Sequence, residues 1–373
     1  MDELSGNLPN TAGKKIALAV VNDLNYDQRM QRICTALANG GFAPTLFGRL
    51  MPESKPLTPK DFTQKRFKHP IQKGKLFYVW HNIRLFIAYL FNHFDIYVAN
   101  DLDTMPAAWL AAKLKGKPLV YDAHEYFPEL PEIVKRPLVM KTWLFLEKMT
   151  VPKLKYAYTI NQSYADIFDK KYGVKFGIVR NATVLTQKEF LPPKEKFILY
   201  QGAVNVGRGV EEMIKAMPHL DCKLVICGKG DVFDECVKLS KQLHVEHKVE
   251  FRGFVAPKEL IKITQKASLG FTFFTKEGQS YYYSLANRFF DYFHNGVPQL
   301  CVDYPEYRLI NDQFNIALLL PNLNTETIVK AAKKILDDEA FYQKIKNNCL
   351  EARQQINWQN EERTLLNIYN NIP

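Results

Sequence analysis

Short runs of β-branched, aromatic and leucine residues alternate along this chain with stretches of helical periodicity, and that alternation limits the fold more than any other feature. KIALAVV (15–21), IYVA (96–99) and PLVY (118–121) are separated by helix-like segments near 27–39 and 106–114. A second series runs FILYQG (197–202), a helix at 209–217, KLVICG (223–228), VEFRGF (249–254), a helix at 258–267, LGFTFF (269–274), a helix at 285–294 and QLCVD (299–303). Parallel strands joined by crossover helices read this way, so an α/β fold is expected. Across 373 residues, at about 150 residues per domain, the two series become two Rossmann-like doubly wound domains with a seam near 181–196.

Hydrophobic residues make up 47% of the chain, enough buried surface to offset ordering entropy, which excludes wholesale disorder. The densest apolar run, 85–91, is far shorter than the ~20 residues a bilayer demands, and the polar start MDELSGNLPNTAGKK has no leader pattern. A cytoplasmic location is therefore expected. Six cysteines without CxxC or zinc-like spacing read as buried thiols in a reducing compartment.

Charge is unevenly placed: residues 1–180 carry 26 Lys and Arg against 16 Asp and Glu, and the remainder 24 against 23. A basic first half suits an anionic partner. No RNP-like strand, helix-turn-helix spacing or metal finger supports nucleic acid, which leaves an anionic membrane surface. The stretch 51–75, rich in Pro and Lys, is expected to be irregular. YVWHNIRLFIAYLFNHF (78–94) after it reads either as a core helix or as a surface for a membrane or acceptor.

Ligands of open α/β sheets bind beyond the carboxyl ends of strands, and four such places carry chemistry. Asn22-Asp23-Leu24-Asn25-Tyr26-Asp27-Gln28-Arg29 lacks GxGxxG, which argues against a nicotinamide enzyme; Asp27 is a plausible helix cap. Asn100-Asp101-Leu102-Asp103-Thr104-Met105-Pro106 contains a DxD triplet, readable as helix capping by Asp103 or Thr104, as polar cleft lining, or as a minimal metal pair. Asp122-Ala123-His124-Glu125 sets an imidazole between two acids, suited to proton sharing with a reacting hydroxyl or to a structural role. The loop Gly202-Ala203-Val204-Asn205-Val206-Gly207-Arg208-Gly209 enters a helix, where backbone N–H groups and a fixed cation favour a phosphate. Gly228, Gly230 and Gly253 follow later strands and would admit close backbone approach to a nucleotide. Ser284 reads as the cap of a helix placing Ser284, Arg288 and Asp291 on one polar stripe, either an Arg288–Asp291 salt bridge on a solvated face or a cleft lining.

The ordered set NDLNYDQRMQR, FDIYVANDLDTMPAAW, YDAHE, YQGAVNVGRGVEEMIKAM, FRGFV, YYYSLANRFFDYFHNGVP and INWQNEERTLLNIY resembles bacterial glycosyltransferases of the GT-B fold, family 4, over nearly the whole chain. The resemblance implies two facing domains with a cleft between them: residues 14–180 plus 357–373 binding the acceptor, and 181–356 binding a nucleotide-sugar donor, with the last helix crossing back. It implies retention of anomeric configuration with neither metal nor other cofactor, and a saccharide or lipid-linked acceptor in surface polysaccharide or glycolipid synthesis. His124, Arg208 and Asp291 take the catalytic positions: His124 contacts the sugar, Arg208 grips the donor phosphates and Asp291 replaces the second Glu of an E-x7-E pair. Donor binding falls to Gly202, Gly207, Gly228, Gly230, Gly253, Ser284, Asn287 and Arg288, and acceptor binding to Asp23, Asp101, Asp103 and Glu125. Tyr283 stands where the first Glu of the pair is usual and Ala203 where a basic residue is usual. These departures keep open a non-catalytic binding subunit of a polysaccharide assembly complex. A sugar-nucleotide epimerase finds no carboxylate set at a suitable strand end.

Overall fold

The computed structural model describes residues 13–25, 27–187 and 195–373; the polar start before Gly13, Tyr26 and part of the expected seam, 188–194, lie outside them. The chain divides into two compact units, the first reaching Arg180 and adding Glu361–Pro373, the second spanning Asn181–Asn360.

The first unit holds β1 (Lys15–Ala19), β2 (Ala43–Leu50), β3 (Thr63–Lys68), β4 (Ile96–Asn100), β5 (Leu119–Ala123), β6 (Tyr156–Thr159) and β7 (Gly177–Ile178). They form a parallel sheet in the order β3-β2-β1-β4-β5-β6-β7. The second holds β8 (Phe197–Gln201), β9 (Lys223–Cys227), β10 (Val249–Gly253), β11 (Leu269–Thr272), β12 (Gln299–Val302) and β13 (Ala317–Leu320), all parallel, in the order β10-β9-β8-β11-β12-β13. In both sheets the strand order reverses beside the first strand, which places a ligand crevice at its carboxyl end.

Two expectations need correction. The stretch 51–75 is not irregular throughout, because TQKRFK forms β3 and pairs with β2 over six residues. Its inward side chains include Gln64 and Arg66, each 2% exposed; Arg66 is neutralised by Asp23 at 3.1 Å, so a buried ion pair stands where an apolar residue would have signalled a strand. The domain boundary also shifts. Trp358 donates its N–H to the Thr183 carbonyl (3.0 Å) and Gln359 bonds both backbone groups of Leu185, so the first turn of helix Trp358–Asn370 belongs to the second unit. From Glu361, which accepts from the Arg180 N–H (2.8 Å), the helix belongs to the first.

Helix Lys75–Phe91 is apolar on more than one face. Phe77, His81, Leu85 and Tyr89 repeat every four residues and are buried, while Leu76, Val79, Trp80, Ile83, Ile87 and Phe91 are exposed. It is a core helix and an apolar surface at once. All six cysteines are free, and five of them are buried. Among the described residues no helix is long and apolar enough to cross a membrane.

Candidate active site

In the second unit the loops after β8 and β9 are laced together by backbone. Gly202 donates to the Cys227 carbonyl and Val204 to that of Lys229, both at 3.0 Å. A Cβ at Gly228 would lie 1.8 Å from the Gly202 oxygen, and one at Gly230 2.4 Å from the Val204 oxygen. Loop-on-loop packing therefore requires these two glycines, whatever approaches from solvent. Gly202 is itself exposed, and a Cβ there would sit 3.6 Å from Arg288 Nη1. Gly253 ends β10 with φ +62° beside the exposed Lys229, a cation at the same sheet edge that motif reading passed over. Gly207 has φ +79°, and any Cβ there would strike Thr275 Oγ1 at 2.8 Å.

Arg208 is held between rings. Its guanidinium carbon lies 4.7 Å from the Phe274 centroid and 4.6 Å from that of Tyr281, and its Nε is buried without an acceptor. Among the described residues no carboxylate pairs with it. Arg288, 6% exposed, packs on the same cluster, 4.9 Å from Phe274 and 5.0 Å from Tyr200, and donates to the Phe273 carbonyl at 3.1 Å. Two guanidinium groups thus share one aromatic ring. Ring quadrupoles hold cations without neutralising them, which leaves full charge for an anion.

The expected polar stripe is broken. Ser284 does not cap: helix Asn287–His294 has Ala286 at its cap, and Ser284 Oγ donates back to the Tyr281 carbonyl (2.9 Å) after the short helix Gln279–Tyr282. Asn287 is exposed in the first turn. Arg288 turns into the aromatic cluster, whereas Asp291 accepts from Thr183 Oγ1 (2.7 Å) and Gln201 Nε2 (2.8 Å). Arg288 and Asp291 therefore form no surface salt bridge.

In the first unit the carboxyl ends of β4 and β5 carry a chain of alternating charges. Arg29 Nη2 meets Asp122 Oδ1 at 2.8 Å; Asp122 Oδ2 lies 2.7 Å from His124 Nε2; His124 Nδ1 lies 3.4 Å from Asp101 Oδ2. Asp27 caps helix Gln28–Asn39 through the Met30 N–H (3.0 Å), which places Arg29 in its first turn, and Arg29 Nη1 also donates to the Val179 carbonyl at 3.0 Å. Asp101 stands in the left-handed region, φ +60°, where Asp is better tolerated than most side chains. From there its Oδ1 accepts the N–H groups of His124 (2.7 Å) and Glu125 (3.3 Å). Burial works against an imidazolium, but Asp122 and Asp101 outweigh it and raise His124 to about 8. Burial, then Asp101 and Glu125, push the Asp103 carboxyl well above the usual carboxylate range.

His124, Asp101, Asp103 and Glu125 are thus brought together, while Asp23 is not among them. Its carboxylate is occupied by Arg66, by Ser54 Oγ and by the Asn25 N–H. Thr104 takes the cap position of helix Met105–Lys115, and its hydroxyl exchanges hydrogen bonds with the backbone of Asn100. Among the described residues no group of three or more His, Cys, Asp or Glu is placed to hold a metal ion. Sequence reasoning placed Arg29 in the first turn of its helix but not against Asp122, and it did not single out Thr183, Gln201 or the ring of Phe274; these roles depend on contacts between distant segments.

Residues 182–352 match the family model of glycosyl transferases group 1. An uncharacterised glycosyltransferase of Methanocaldococcus jannaschii is 29% identical over 181 residues, 47% of this chain and 45% of that protein. The N-acetylgalactosamine-N,N'-diacetylbacillosaminyl-diphospho-undecaprenol 4-alpha-N-acetylgalactosaminyltransferase of Campylobacter jejuni is 43% identical over 63 residues, 16% of this chain and 17% of that one. The chain thus spans less than half the length of the curated relatives it matches. In structure, the sucrose-phosphate synthase of Thermosynechococcus elongatus superposes with a TM-score of 0.81 at 15% identity, over 96% of this chain and 98% of that one. The chain has the GT-B fold, and its match to the glycosyl transferases group 1 family falls within the second unit.

Proposed function

We propose that the protein is a metal-independent, retaining glycosyltransferase. It would move a sugar from a UDP or GDP type donor to a saccharide or lipid-linked acceptor in surface polysaccharide or glycolipid synthesis. The observation that carries this reading is Arg208, an arginine fixed between two aromatic faces with no carboxylate partner among the described residues, at the carboxyl edge of the second sheet. Breaking a sugar–phosphate bond builds negative charge on the departing diphosphate, and cations already in place stabilise that charge without reorganising. Arg208 and Arg288 supply such a field, with Gly202 leaving backbone open beside them. His124 serves as an oriented hydrogen-bond donor: both ring nitrogens face carboxylates, and the longer contact, Nδ1 to Asp101, is the one a sugar hydroxyl would replace. Asp101 spends one oxygen on two backbone N–H groups and Asp103 is biased towards its neutral form. Neither is suited to a metal pair.

A lipid-linked acceptor, and association with the inner face of the cell membrane, are supported by the exposed apolar face of helix Lys75–Phe91 on the basic half of the chain. They are supported too by the diphospho-undecaprenol in the name of the Campylobacter relative.

A second reading, a donor-binding subunit without turnover, draws on Asp291, whose carboxylate is engaged by Thr183 and Gln201. Incubation with UDP- and GDP-sugars, following release of nucleoside diphosphate, separates the two. Release above the uncatalysed rate supports the transferase; tight donor binding with no release, with or without saccharide and lipid acceptors, supports the subunit.

A further inference from the structure

The amino edge of the first sheet, opposite the edge that carries His124, holds an open cavity of about 620 Å³. Its walls are the residues leading into β1, β5 and β6 together with helix Met105–Lys115, and they include Lys14, Lys113, Lys117, Lys153, Lys155 and Trp109. Asp95 is the one acidic side chain among them, and it already accepts from the Lys15 N–H (3.0 Å) and Lys117 Nζ (3.2 Å). Lys113 and Lys153 both set their ammonium groups over the Trp109 ring, 5.2 and 5.7 Å from its centroid. Lys14 donates to the Ile372 carbonyl at 2.6 Å.

Lys14, Lys113, Lys153 and Lys155 are exposed to solvent, and Lys117 is half-buried. Here one indole holds two of them, a backbone carbonyl holds a third, and all five line a single concavity whose one acidic side chain is already satisfied. Like charges gathered on one concavity repel one another. A bound polyanion adds an attraction to each ammonium that offsets this repulsion. Lysine ammoniums recognise phosphate as point charges, without the planar match that guanidinium offers a carboxylate.

We propose that this cavity is a second ligand site, for a phosphate-bearing molecule, separate from the donor and acceptor positions. The strands place it about 13 Å from the His124 edge, since each residue of β5 advances about 3.3 Å. A group bound there is out of reach of the transfer chemistry and acts as a tether or a regulator. The phosphate could be that of a soluble phosphorylated metabolite or of an anionic lipid headgroup; Leu110 and Leu114, exposed on the same helix, would suit the second source.

Trp109 provides the readout. The full-length protein is titrated with inorganic pyrophosphate, and separately with phosphatidylcholine vesicles with and without phosphatidic acid, while tryptophan emission is followed. A saturable change that is lost in Trp109→Phe and weakened about tenfold or more in Lys153→Gln/Lys155→Gln is expected. Arg208→Ala leaves it unaltered, which excludes the donor site as its origin. Saturation by pyrophosphate assigns a soluble ligand, and a change only with phosphatidic acid vesicles assigns a headgroup. No change with either probe, or a change that persists undiminished in the double lysine variant and in Lys113→Gln, overturns the proposal. It stands or falls independently of the transferase reading, because none of these signals requires turnover.

Discussion

Raising the pH across neutrality should loosen the first unit by removing one proton from His124. The imidazole is 17% exposed and lies between Asp122 at 2.7 Å and Asp101 at 3.4 Å, which hold it at about 8 despite its burial. An unfolded histidine titrates near 6.5, so holding the folded ring at about 8 contributes on the order of 2 kcal/mol. A raised value fixes the sign: the contribution is complete below about pH 6.5 and disappears as pH rises through about 8. His69 and His81, lowered to about 4 and about 3 chiefly by burial, titrate outside this window. The assay is an NMR titration of the His124 ring proton, assigned by its loss in His124→Gln, alongside hydrogen exchange of β4 and β5 amides at pH 6.5 and pH 9. A midpoint near 8 is expected, with lower protection factors at the higher pH once the intrinsic base-catalysed rise in amide exchange is divided out, and His124→Gln should remove that difference in protection. A midpoint at or below 6.5, or the same pH dependence in His124→Gln, would refute the charge chain.

Three further outcomes follow from the geometry. Asp291→Asn keeps one acceptor oxygen for Thr183 or Gln201, so the variant should fold with a nearly unchanged melting temperature while donor binding weakens severalfold; an unfolded variant would make Asp291 a structural residue only. Gly228→Ala drives a methyl against the Gly202 carbonyl, a backbone atom that cannot swing away, and should destabilise the second unit by about 3 kcal/mol in chemical denaturation. Co-sedimentation with anionic vesicles should fall as salt rises and fall again in Trp80→Glu on the exposed face of helix Lys75–Phe91; binding indifferent to both would disconnect that face from membranes.

The two sheets were legible because parallel strands are buried on both faces and write themselves as continuous apolar runs, as IYVA and KLVICG do. β3 was not, since TQKRFK turns Gln64 and Arg66 inward and settles the charge with Asp23, a partner far away in sequence. The same distinction divides the candidate site. Its glycines and the strand-end His124 are local signals, and the structure sets Gly202, Gly228, Gly230 and Gly253 at neighbouring strand ends. What each charged group does was hidden, because it depends on a remote neighbour. Arg208 is defined by Phe274 and Tyr281, Asp291 by Thr183 and Gln201, and Asp23 by Arg66. A one-residue pattern can place a cation at a loop; it cannot say whether a carboxylate waits for it elsewhere in the chain.

The second unit is expected to bind a nucleoside diphosphate through Arg208, and calorimetry with UDP and GDP on the native protein and Arg208→Ala tests that most directly. Saturable binding of one of the two, weakened by about 1.5–3 kcal/mol in the variant, is the predicted result, the range for a hydrogen bond to a charged group. Binding of neither, or equal affinity in both proteins, would contradict it.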